Sequence, residues 1–292
     1  MSSSNTIALH VQLACIWEAT ARKAGNVHRY RDFADTSYVD FLQCAAVIAP
    51  VLAAAPDNPV GATVLEAMRR CGQVAATNTN LGIVLLLTPL AKAAAKVNLR
   101  SELSQILDGL DVTDAARVYD AIRLANPGGL GRAAEQDVAD APTQTLREVM
   151  ALAADRDLVA RQYANGFREV FDDGVPAIEA GLRQTGSLEG GIGYGQLQLL
   201  AKHGDTLIGR KRGAAESTAA AEQARQILAA RWPHTSASWD RFHAYDGWLR
   251  AVGHARNPGT TADLIAASLF VLLAEGRLQL PLRFPWPDGF ER

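Results

Sequence analysis

The sequence predicts an all-α protein, one compact domain of many helices with polar motif loops at the helix ends lining one cleft. Alanine is in surplus, 52 of 292 residues, and alanine loses no side-chain freedom on entering a helix. Apolar residues recur at helical spacing, as with Leu9, Leu13, Ile16 and Trp17, which places them near one helical face. Alternating apolar and polar runs joined by hairpin turns are missing, so a Rossmann or barrel enzyme is disfavoured. With aromatics at 7%, the core has to come from small and aliphatic side chains.

Taken in order, the first helix is expected over residues 7–24, and the second over 36–55, behind a polar turn and ahead of Pro56. The Pro56-Asp-Asn-Pro59 stretch separates it from helices at 60–76 and 81–97. A helix at 101–107 starts on a Ser-Glu cap, and one at 111–125 opens with acidic and Thr residues suited to the positive helix end. Further helices are expected over 157–171, 176–183, 196–203, 213–231, 236–253 and 260–275. Residues 126–142, with Gly128, Gly129 and Gly131, form the one long irregular stretch. It reads as a lid or binding loop, a domain boundary being the competing reading. Residues 1–292 are read as one domain, a helical core over 1–277 and an extended, proline-bearing tail over 278–292.

The charge balance, 29 basic against 31 acidic residues, excludes a general electrostatic grip on nucleic acid. Cys15, Cys44 and Cys71 lack CxxC spacing and read as buried, reduced thiols. The N-terminus carries no signal-peptide pattern, and the most apolar run, 81–95, contains Pro89 and Lys92 and is too short to span a bilayer. These features predict a cytoplasmic protein without a membrane partner; alanine-rich helices offer a face for a homodimer.

Polar residues collect in four islands beside apolar helices. Residues 23–35 mix cations, a histidine, an amide and carboxylates, either as a solvated loop or as part of a site. Thr77-Asn-Thr-Asn-Leu-Gly82 precedes the most apolar helix; its side chains suit helix capping, or contact with phosphate or ribose at a positive helix end. His203-Gly-Asp-Thr-Leu-Ile-Gly-Arg-Lys-Arg-Gly213 sets three cations between glycines, a surface charge run or a wrap for polyphosphate. It follows a glycine-rich Gly190-Gly-Ile-Gly-Tyr-Gly195 that does not fit a Walker loop. His254-Ala-Arg-Asn-Pro-Gly-Thr-Thr-Ala-Asp-Leu264 opens the last helix, where Asp263 either steadies the helix end or binds metal or ribose.

Together, Ala24-Gly-Asn-Val-His-Arg29, Asn78-Thr-Asn-Leu-Gly82, Gly204-Asp-Thr-Leu-Ile-Gly-Arg-Lys-Arg-Gly213 and Asn257-Pro-Gly-Thr-Thr-Ala-Asp-Leu264 resemble the triphosphoribosyl-dephospho-CoA synthase family. The resemblance covers roughly residues 10–275 and implies an all-helical enzyme that joins ATP to 3′-dephospho-CoA and expels adenine. Two departures stand out. The citrate and malonate enzymes read Asn-Thr-His-Lys-Gly in the second motif, where this chain has Asn80 and Leu81 for His and Lys. In the third, Asp205 is followed by Thr206-Leu207 rather than an Asp-(Ser/Thr)-Asn run. The variant resembles a branch in methylotrophs and archaea near genes for methanopterin- or methanofuran-type one-carbon carriers, implying a different acceptor or donor.

The expected reaction transfers a (tri)phosphoribosyl group from ATP, with magnesium, to a cofactor precursor. Arg29, Asn78, Thr79, Asn80, Arg210, Lys211, Arg212 and Asn257 are the candidates for nucleotide and phosphate contact. Asp205, Asp263 and Asp32 are candidates for the metal, and His28, Glu18 and Asp35 for acid–base work. A kinase or ligase releasing ADP or AMP, and a non-catalytic nucleotide-binding subunit, are the alternatives.

Overall fold

Fourteen α-helices make up the frame of residues 4–286, the part of the chain that the structure, a computed structural model, describes; no strand forms among them. Most helices begin where a short polar side chain can accept the free N–H groups of the first turn. Ser37 with Asp40, Asp111 with Asp114 and Thr145 with Glu148 do this reciprocally, as capping boxes.

In chain order the helices are α1 (Ser4–Thr20), α2 (Tyr38–Ala53), α3 (Val60–Val74), α4 (Leu81–Ala93), α5 (Leu99–Asp108), α6 (Val112–Ala125) and α7 (Leu146–Ala153). Then follow α8 (Leu158–Asn165), α9 (Val175–Thr185), α10 (Leu188–His203), α11 (Thr206–Arg212), α12 (Ala214–Ala229), α13 (Ser236–Arg250) and α14 (Gly259–Ala274). α4 and α14 are buried almost all round and pack on each other at the centre. α1 crosses α14 and α2, and α9 and α10 flank the far side. Burying Leu264, Ile265, Leu269, Phe270 and Leu272 of α14 contributes about 1.5–3 kcal/mol per side chain before chain entropy is charged. That burial fixes where the N-termini of α4 and α14 lie.

A second, smaller core joins α10, α11, α12 and α13, with Trp232, Phe242, Tyr245 and Trp286 at its heart. The described part of the tail, residues 278–286, is not helical. It runs along the start of α10: the Leu188 and Glu189 amides donate to the carbonyls of Arg283 (3.0 Å) and Phe284 (2.9 Å). The remainder of the expected tail, residues 287–292, lies outside the described residues.

Several expectations are corrected. The glycine-rich 190–195 stretch is not a loop but the first half of α10, which the sequence reading began only at Gln196. Its glycines admit a neighbouring helix: a Cβ on Gly191 would lie 2.9 Å from the Ile178 carbonyl, and one on Gly195 2.8 Å from the Ile178 side chain. The glycine-flanked cation segment is likewise a helix, α11, started by Asp205. α7 was not expected at all, and the helix expected over 157–171 breaks at Gly166, whose φ of +73° ends α8. A π-helical turn (Glu169–Gly174) then leads into α9. No described helix is long and apolar enough to cross a membrane.

Candidate active site

The frame brings several helix ends around one cavity of about 1000 Å³. The loop after α1, the N-termini of α4, α8 and α14, one side of α11 and the 126–138 loop all contribute to its wall. All four polar islands reach it.

Its floor is acidic. Glu18, from the last turns of α1, forms a buried ion pair with Lys23 at 3.0 Å, and Lys23 also donates to the Glu18 carbonyl. Burial pushes the Glu18 carboxyl up, against the pull of the Lys23 ammonium. Asp263, one turn into α14, presents its carboxyl to the cavity beside the first turn of α4. The approach is so close that a Cβ on Gly82 would lie 2.0 Å from Asp263 Oδ2; only glycine fits there. Among the described residues no hydrogen bond reaches that carboxyl. Burial above all, and then the neighbouring Glu18, Asp205 and Asp157, hold it well above the usual carboxylate range, against the pull of Arg210.

Cations line one side. Arg210 pairs with Asp157 at 2.7 Å. Lys211 donates to the His254 carbonyl at 3.3 Å, and its stem lies under Gly128 and Gly129 of the 126–138 loop. Burial and the adjacent Arg210 lower the Lys211 pKa. Asn26 and Asn257 are linked at 2.7 Å, and Gln196, fully buried, donates to Asn26 Oδ1 at 2.8 Å. Asn78 accepts the Leu81 amide at 3.1 Å, and Thr79 Oγ1 lies 3.3 Å from Cys44 Sγ; both residues are in the wall.

The far side is apolar. Leu124 from α6, Leu130 from the loop and Leu152 from α7 line it while remaining 53%, 43% and 51% exposed. Met150, Val149 and Val159 lie in the same wall. Leu81, where the related motif has Lys, is also part of the wall.

Of the sequence candidates, the structure brings Glu18, Asp35, Asn78, Thr79, Arg210, Lys211, Asn257 and Asp263 to this cavity. The others are placed elsewhere, each for a visible reason. His28 is buried; burial, then the nearby Lys23 and Arg250 charges, bring its pKa down to about 3, so it is neutral, and its Nδ1 accepts the Tyr30 amide. Arg29 is bound to Glu189 at 2.9 Å and lies over the Tyr30 ring. The same Glu189 accepts both the backbone and the side chain of Arg22, and the Trp286 amide. Asn80 turns inward at the α4 N-terminus and is 1% exposed. Arg212 points toward Glu216, because successive side chains fan out by about 100° round a helix. Asp32 accepts the Tyr38 amide at 2.7 Å.

Asp205 is occupied completely. Its Oδ1 accepts the Leu207 and Ile208 amides at 2.9 and 3.0 Å, and its Oδ2 the Thr261 amide and hydroxyl, both at 2.8 Å. It locks α11 to α14 rather than facing the cavity. Asp32, Asp205 and Asp263 therefore do not meet, and among the described residues no three ligating side chains gather into a metal cluster. A single free carboxyl with substrate phosphates is the magnesium arrangement these residues can provide.

Two wall residues escaped the sequence reading. Asp157 looked like an ordinary helix start, and it does cap α8, but its other oxygen holds Arg210. His254 stood in the fourth motif without a role; its ring lies in the wall, with Nε2 on Asp35 and its face 4.0 Å from the Phe33 ring centroid.

The family model for ATP:dephospho-CoA triphosphoribosyl transferase matches residues 4–281. Among solved structures, one from Archaeoglobus fulgidus, described as a "putative triphosphoribosyl-dephospho-coA synthase", superposes with a TM-score of 0.63. It is 25% identical to this chain, and the match covers 80% of this chain and 99% of the other. No curated protein matches the sequence significantly.

Proposed function

The chain belongs to the ATP:dephospho-CoA triphosphoribosyl transferase family, and from that premise we propose a magnesium-dependent transfer of the triphosphoribosyl group of ATP to a hydroxyl of a cofactor precursor, with release of adenine. The observation that carries this reading is the meeting of all four motif segments in one cavity, with Arg210 and Lys211 opposite a carboxyl free of protein partners.

In this reading Arg210 and Lys211 hold the triphosphate, each by a charge-assisted contact in partly dry surroundings. Asn26, Asn78, Thr79 and Asn257 orient the ribose and the nearer phosphate oxygens. Asp263 is the protein ligand for a magnesium ion that, when bound, neutralises phosphate charge. Glu18, kept in place by Lys23, supplies negative charge where the ribose carbon becomes cationic as the bond to adenine stretches.

The acceptor lies toward the apolar side. Leucine at position 81 offers no charge to a phosphate, and Leu124, Leu130 and Leu152 widen the apolar surface beyond it. That favours an acceptor with an apolar body over the charged 3′-dephospho-CoA, and fits the one-carbon-carrier branch that the motifs resemble. If a lysine here met substrate phosphate, its loss would weaken 3′-dephospho-CoA by about 10- to 150-fold, or roughly 1.5–3 kcal/mol.

The test is incubation of the purified protein with ATP, magnesium and either 3′-dephospho-CoA or one-carbon carrier precursors, with products separated by chromatography. Adenine is the expected purine. ADP or AMP would replace this reading with a kinase or ligase, and bound ATP without product would leave a nucleotide-binding subunit.

A further inference from the structure

We propose that His254, positioned by Asp35, is the base that takes the proton from the attacking hydroxyl; the inference rests on the transfer reaction proposed above. His254 is the one histidine in the cavity wall among the described residues. Its Nε2 meets the Asp35 carboxylate. A carboxylate only accepts, so Nε2 carries the hydrogen and the ring lone pair is left on Nδ1. No hydrogen bond reaches Nδ1 among the described residues. Phe33, 4.0 Å away at an interplanar angle of 38°, fixes the plane of the ring.

The placement suits a base that works beside the phosphates without binding them. The His254 carbonyl accepts from Lys211, so the imidazole stands next to one cation assigned to the triphosphate. The elements packed around it carry further charges. Asp35 comes from the loop after α1, and Arg210, Lys211 and Arg212 from α11. Asp240, Arg241, Asp246 and Arg250 come from α13, with the Arg250 guanidinium over the outer Phe33 ring at 5.3 Å. On its own turn, Arg256 is tied to Glu216. The carboxylate touching the imidazole is that of Asp35, held below its usual pKa chiefly by the hydrogen bond from His254. A carboxylate against one nitrogen stabilises the imidazolium formed when the other takes a proton.

The step balances without another reactant. The acceptor oxygen bonds to the ribose C1′ as the C1′–N9 bond breaks, and the bonding pair leaves with adenine. The hydroxyl proton goes to His254, adenine takes one proton from water, and the imidazolium returns one to water.

The experiment compares the full-length wild type with His254→Gln and Asp35→Asn. Adenine release is followed from magnesium ATP with one-carbon carrier precursors that bear a free hydroxyl, with 3′-dephospho-CoA and, separately, with water as the only acceptor. His254→Gln is expected to lower kcat about 10²- to 10⁴-fold, the usual worth of a positioned base, with KM for ATP within about twofold. The acid limb of the wild-type kcat–pH profile should vanish in His254→Gln, and Asp35→Asn should lower kcat with the limb displaced. A wild type that releases adenine while His254→Gln keeps more than half its kcat, or keeps the limb, overturns the role of His254 and leaves the transfer reaction standing. A wild type that releases no adenine overturns both.

A second measurement does not need turnover. Carbethoxylation of His254 by diethyl pyrocarbonate, read by peptide mass spectrometry, should slow about fivefold or more in magnesium ATP, because ligand binding to the folded state covers the cavity wall. An unchanged rate would show that nucleotide does not come near the ring.

Discussion

Asp205, fully buried, and Asp263, half-buried in the cavity wall, stand in consecutive motifs and have opposite fates. Burial raises the pKa of each. Asp205 recovers the cost through four hydrogen bonds from α11 and α14, so its carboxylate serves as a structural lock. Asp263 has Glu18, Asp205 and Asp157 as its strongest neighbouring charges, and Arg210 opposes them. A sequence reader sees two aspartates of equal promise. The difference between them teaches that a buried charge with all its partners supports the fold, whereas one left without partners is strain kept available for a ligand.

The comparison is sharpened most by Asp205→Ala. Four donors lose their acceptor and α11 comes free of α14, so unfolding free energy in urea should fall by about 3–5 kcal/mol. A loss under about 1 kcal/mol would mean that the lock is cosmetic. Arg210→Ala should weaken magnesium-ATP affinity in calorimetry by about 1.5–3 kcal/mol, the worth of a hydrogen bond to a charged group. Arg212→Ala, facing Glu216 instead, should leave that affinity alone, and equal losses would restore the picture of a three-cation wrap. Gly82→Ala presses on Asp263 without touching Asp205; by overpacking it should cost about 1–3 kcal/mol of stability in the same urea titration.

Asp263→Asn should do the reverse and stabilise the protein by roughly 1 kcal/mol at pH 7–8, without nucleotide or magnesium, while abolishing transfer. The sign follows from the raised pKa. Between the ordinary carboxylate value, about 4, and its elevated value, the folded state holds a proton that the unfolded chain has released. Stability from this group is therefore full at low pH and declines as pH rises through that window. Thermal melts across it should show the decline in the wild type and a flatter profile in Asp263→Asn; parallel profiles would put Asp263 among the ordinary surface carboxylates.

Much of the frame was legible, because periodicity and caps are local. The helix starts expected at residues 36, 111 and 236 lie within two residues of the observed ones at Tyr38, Val112 and Ser236. α7 has an equally local signal, Thr145 followed three residues later by Glu148, but stands directly behind the long loop. The glycines of α10 misled for a tertiary reason: they are there for the neighbouring helix α9, which no local pattern reports. The cavity itself was anticipated as a gathering of motifs, but which side chain of each motif faces it depends on helix phase and on distant partners. Arg29 was invisible as a structural residue because its partner Glu189 lies 160 positions away. His254 gained meaning only once Asp35, 219 positions earlier, was set against it.

The strap along α10 has a consequence for the order in which the protein is made. The first motif loop is anchored by Arg22 and Arg29 on Glu189, and that carboxylate is shared with the amide of Trp286. A ribosome delivers these three parts in sequence, about 5–30 seconds apart at about 5–20 residues per second. The loop between α1 and α2 is thus translated well before the two residues that anchor it, Glu189 and Trp286. Until Trp286 is added, Trp232 and Trp239 also lack the ring that packs on them at 5.3 and 5.4 Å.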